Sequence, residues 1–122
     1  MALGDESKSW EKHMKWGFIY TLDDASEARR TDIIGTLVCV GVPSVADASD
    51  AARQLVAEGV ELIELCGGFG GAGLATVISA VDGRVPVGAV FYGVDASAGL
   101  QRLFGSTLEL SPPNNAFKER RG

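Results

Sequence analysis

Between Glu64 and Gly73 the sequence ELCGGFGGAG sets a carboxylate, a thiol and five glycines within ten residues. Each of these types can do chemistry. A carboxylate whose pKa is raised by burial serves as a general acid or base. A thiol beside a helix N-terminus is stabilised as thiolate, and glycines let backbone N–H groups reach an anion that side chains would hold away. Along VELIELC the two-residue period puts Leu62, Glu64 and Cys66 on one face and Glu61, Ile63 and Leu65 on the other. Glu64 is the expected acid–base group, because a carboxylate in a strand buried on both faces has to be paired, hydrogen-bonded or neutralised. Glu61, nearer the strand entrance, reads as a structural ion-pair residue. Cys66 is either a nucleophile or a small packing residue, and Cys39, inside its own strand, reads as core.

The glycine run satisfies G-x-G-x-x-G from Gly68 to Gly73. A dinucleotide site does not follow, since the run comes after the third apolar segment and lacks a following acidic residue at the required distance. No Lys-Ser or Lys-Thr pair makes it a P-loop. What it offers is an anion cradle of Gly67, Gly68, Phe69, Gly70 and Gly71 for a phosphate, a carboxylate or a developing enolate, with a tight turn and close helix packing as the alternative. Tyr20, Tyr92 and Asp95 stand at or beyond strand ends and are candidates for the same rim. The single histidine, His13, lies in a polar amino-terminal stretch. No Ser-His-Asp arrangement, no metal site and no cofactor is therefore expected.

Four apolar runs must position these groups: Trp16 to Leu22, Gly35 to Val42, Val60 to Cys66 and Val85 to Tyr92. They are short, rich in β-branched and aromatic residues and barely alternate with polar ones, which predicts strands buried on both faces. Helical spacing lies between them. Asp47 to Glu58 carries Ala48, Ala51, Ala52, Leu55 and Val56 on one face, with Asp47 or Ser49 as N-cap and Gly59 past its end. Gly71 to Val81 and Asp95 to Phe104 read as helices, and Ser26 to Ile34 as a short first one. The expected fold is α/β, a small parallel four-stranded sheet with alternating helices, flavodoxin-like or half-barrel-like.

A length of 122 residues allows one domain, read as residues 16–105 between a polar arm, 1–15, and a proline-containing tail, 106–122. A net charge of -5 argues against nucleic-acid binding through phosphate neutralisation. No run is long enough to cross a membrane, and residues 1–15 lack the apolar core of a signal peptide, so a cytoplasmic protein with free thiols is expected. Too few helices are available to cover both faces of the sheet. A homodimer or higher homo-oligomer is expected in consequence, with Trp10, Leu108, Leu110 and Phe117 as clasp points.

From Val45 to Gly93, and above all in EGVELIELCGGFGGAG and VPVGAVFYG, the chain resembles a family of small bacterial domains of unknown function that share an ELCGGFG-type segment. The resemblance implies a compact α/β domain and marks Glu64, Cys66, Gly67, Gly68, Phe69 and Gly70; it implies no activity. The functional expectation is binding of a small anionic metabolite, with acid–base conversion of the isomerase, lyase or cyclase type at the Glu-x-Cys-Gly-Gly strand end. The alternative is a noncatalytic assembly module.

Overall fold

The computed structural model describes residues 14–23, 26–33 and 35–109, with side chains described as far as Gly105. The chain divides into two compact units, residues 1–91 and 92–122. In the first, β1 (Trp16–Thr21), β2 (Arg29–Ile33) and β3 (Leu37–Val42) are followed by α1 (Val45–Ala57), β4 (Leu62–Leu65), a 3₁₀ turn (Gly67–Phe69), α2 (Gly70–Val81) and β5 (Val87–Ala89). The sheet has five strands in the order β2-β3-β1-β4-β5. Its β3, β1, β4 and β5 are parallel, whereas β2 runs antiparallel to β3.

The expected four strands are thus five, and the added one occupies the stretch read as a first helix. Every residue of β2 is exposed. A charged edge strand has no buried face to impose an apolar alternation, so its sequence, RRTDI, carries no strand signal. Gly35, at φ 76°, turns the chain from β2 into β3.

Two crossovers build the core. The β3-α1-β4 connection passes over β1, and β4-α2-β5 steps to the next strand in the same direction, so right-handed crossovers lay both helices on one face. Ile19, Val38, Val40, Val42, Ile63 and Leu65 point to that face and are buried with Leu55 of α1 and Val77 of α2. Gly17 is required there: a Cβ on it would lie 2.8 Å from Leu55 Cδ1. The alternate positions behave differently. Trp16, Phe18, Tyr20, Leu37, Cys39 and Leu62 are half-buried and Glu64 is exposed. Burial on both faces, expected from the apolar runs, is therefore not found, and Cys39 is not a core thiol. The runs are apolar on both sides, but within this unit helices cover only one.

Helix α1 begins at Val45, earlier than expected, because Ser44 is its N-cap: Ser44 Oγ accepts from the Asp47 N–H at 3.2 Å and donates to the Asp47 carboxylate at 2.7 Å. Gly59 at φ 99° follows its end as expected. The second unit holds a 3₁₀ turn (Val94–Ala96) and α3 (Ser97–Glu109). Trp10, Leu110 and Phe117 lie outside the described residues, as does the side chain of Leu108. Among the described residues no helix is long and apolar enough to cross a membrane.

Candidate functional site at the β4-α2 junction

Connections part at the carboxyl ends of β1 and β4. The chain leaves β1 towards the β2 edge and leaves β4 towards β5, which makes the β1/β4 gap the sheet's switch point, where open α/β sheets take ligands. Cys66 sits in that gap, its N–H donating to the Ile19 carbonyl at 3.0 Å. Its half-buried Sγ lies 3.8 Å from Thr21 Oγ1. Thr21 was not singled out by sequence reasoning; the only signal available was a hydroxyl one residue before the end of the first apolar run.

The glycines have separate reasons. At Gly68 a Cβ would stand 2.8 Å from Thr21 Oγ1, so the loop closes over the hydroxyl only without a side chain. Gly70 takes φ 65°, which L side chains rarely adopt. A Cβ on Gly73 would come within 2.9 Å of Phe69 Cβ, and Phe69 itself is buried in the core, anchoring the turn from below. Gly71 is the exception. It is exposed in the first turn of α2, and a Cβ there would meet nothing within 4 Å.

The two helices that start at this end of the sheet differ. Helix α1 is capped by Ser44 and carries Asp47 in its first turn. Helix α2 has neither a side-chain cap nor an acidic residue in its first turn. No described side chain satisfies the first N–H groups of α2 or offsets the positive end of its dipole.

Glu64 departs from expectation. It is exposed on the helix-free face, in register with Phe18 of β1 and Gly88 of β5. With Gly88, Ala89 and Val90 it lines a shallow depression of about 200 Å³. Cys66, just beyond the end of β4, does not share that face: it packs half-buried against the helix-covered core, where it meets Thr21. Glu61 makes no ion pair among the described residues; its Oε2 accepts from the Lys15 backbone N–H at 3.3 Å. Tyr20 stacks on Phe18 with ring centroids 6.0 Å apart, on the Glu64 face. Tyr92 and Asp95 belong to the second unit, Tyr92 exposed and Asp95 in the 3₁₀ turn before α3. Among the described residues no group of three His, Cys, Asp or Glu side chains is placed to hold a metal ion.

A family model described as "Family of unknown function (DUF6506)" matches residues 14–105. The chain belongs to that family. The DUF6506 match takes in the whole sheet, both helices of the first unit and the glycine run, and leaves out residues 1–13 and 106–122. No curated protein and no solved structure matches the chain.

Proposed function

We propose that this DUF6506 protein binds a small carboxylated or phosphorylated metabolite at the β4-α2 junction and exchanges a proton with it through Glu64. The observation that carries the reading is the contrast between a self-capped α1 and an uncapped α2 at the same end of the sheet. The anionic group sits against the first N–H groups of α2, with Gly67, Gly68, Gly70 and Gly71 leaving its approach clear. Glu64, on the preceding strand, takes a proton from a carbon beside a carbonyl or carboxylate. The α2 dipole favours the enolate that forms. Return of the proton at a neighbouring atom completes an isomerisation, and departure of a leaving group completes a lyase step. Cys66 and Thr21 line the approach.

Thermal unfolding with inorganic phosphate and a panel of small carboxylates and phosphate esters tests the reading. A true ligand at 100 times its Kd adds about 2.7 kcal/mol of stability. Gly71→Asp supplies a carboxylate to the α2 first turn from within. It should keep or raise the ligand-free Tm and lose the ligand shift. Glu64→Gln should keep the shift and lose turnover. An undiminished shift in Gly71→Asp would sink the anion site.

A second reading, the noncatalytic assembly module, is favoured by the packing or backbone reasons for Gly68, Gly70 and Gly73. It predicts no thermal shift with any member of the panel.

A further inference from the structure

The two edges of the sheet are built to opposite rules. At one end β2 carries Arg29, Arg30 and Asp32, and Arg30 bridges Asp32 and Glu58 at 2.8 and 2.7 Å. Such charges protect an edge from pairing with another chain. At the other end, from Val85 to Val94, no residue is charged. The β5 ladder shows which backbone groups are free. Ile63 donates to the Pro86 carbonyl at 3.0 Å and Val90 donates to the Leu65 carbonyl at 2.9 Å, so the even-numbered residues turn their hydrogen-bonding groups to β4. Val87 and Ala89 turn theirs outward, and no described residue takes them. Pro86 lacks an N–H, but its position faces β4, so the outer edge loses nothing by it.

We infer that this edge pairs antiparallel with the β5 edge of a second copy, the two-fold axis passing between the two Ala89 residues. This inference is independent of the anion site. Several registers would let the strand pair with itself. The Ala89-centred one matches all three outward positions, Val87 to the partner's Phe91, Ala89 to the partner's Ala89 and Phe91 to the partner's Val87. None of these is proline, so each pair exchanges both of its hydrogen bonds.

The same register decides the other face. Gly88 falls opposite the partner's Val90, in a pair whose side chains stand on the Glu64 side of the sheet. Gly88 has nothing within 4 Å of its Cβ position, and Val90 is 40% exposed. An unfilled glycine site in a strand marks where another chain comes close, and here the chain's own sequence supplies the residue that fills it. The partner's Val90 then walls the depression beside Glu64. A single strand pair lies at the small end of stable interfaces, so the dimer dissociates on dilution.

Light scattering and oxidative crosslinking of the full chain test this. The mass should approach twice 12.8 kDa at high micromolar concentration and fall on dilution. Ala89→Pro removes only an outward N–H and should weaken association at least tenfold. Val90→Lys should do the same by placing a charge on each side of the axis. In the Gly88→Cys, Val90→Cys double variant the new thiols face each other in non-hydrogen-bonded pairs about 4.5 Å apart at Cα, so oxidation should give a covalent dimer that the parent chain does not form. A monomer unchanged at high concentration overturns the proposal. So does a dimer that Ala89→Pro leaves intact, which would move the interface to the tail or the helix-free face. If Ala89→Pro fails to fold, the crosslink decides: no covalent dimer above the parent's level means no β5 pairing.

Discussion

The two faces of the sheet are both largely apolar and have opposite fates. Ile63 and Leu65 of β4 are wholly buried under the helices, while on the reverse Leu62 is half-buried and Glu64 is exposed. Apolar character in a strand states that a face can be covered; the path of the crossovers determines which one is. In this fold both crossovers run in the same direction. Stability is therefore concentrated on one side, and exposed Glu64 stands on the other, where a substitution disturbs little packing.

Truncation should separate the faces most strongly. Ile63→Ala removes a fully buried side chain and is expected to cost about 2–5 kcal/mol in urea unfolding, whereas Phe18→Ala on the helix-free face should cost about half that or less. Equal losses would mean that the second face is covered as tightly as the first. A sharper comparison adds a methyl to a glycine on each side. Gly17→Ala drives a Cβ to 2.8 Å from Leu55 and should destabilise by about 1–3 kcal/mol. Gly88→Ala meets open space and should be neutral or stabilising by up to about 1 kcal/mol.

The smallest effect belongs to the polar margin of the covered side. Hydrogen bonds from the Arg30 guanidinium hold the Asp32 and Glu58 carboxyls below their usual range. Lowered folded-state pKa values stabilise the fold above the carboxylates' unfolded pKa, and that contribution is lost as pH falls through the folded values. Both groups are solvent-screened, so the gain is slight. The urea midpoints of the parent and Arg30→Gln should differ at about pH 7 and draw together as pH falls below the unfolded carboxylate range of about 4. A gap that persists in acid would assign the role of Arg30 to packing.

Much of the fold was legible because its strands and helices carry internal periodicity. The alternation of LIEL revealed which residues of β4 share a face, and DASDAARQLVAE with Gly59 marked a helix to within two residues of each observed end. What failed was information that no single segment holds. RRTDI is a strand only because β3 offers it an edge. The exposure of Glu64 follows from both crossovers taking one side, which the β4 sequence cannot express. Ser44 was legible in principle, as a hydroxyl three residues before Asp47, but the apolar pattern of α1 drew attention to later positions. In the site, the sequence period set Glu64 opposite Ile63 and Leu65, but Cys66, beyond the end of β4, does not continue it. The closure of Gly68 over Thr21 joins segments more than forty residues apart and leaves no local trace.

The central position of β1 also bears on how the protein is made. This strand is synthesised first, but one of its two neighbours, β4, is synthesised only after β2, β3 and α1, and the contact between Lys15 and Glu61 spans 46 residues. Until then the uncharged segment WGFIYT has one flank unpaired. On the ribosome it is the stretch most open to capture by a neighbouring nascent chain. The rate at which α1 forms and carries β4 into place sets how long that exposure lasts.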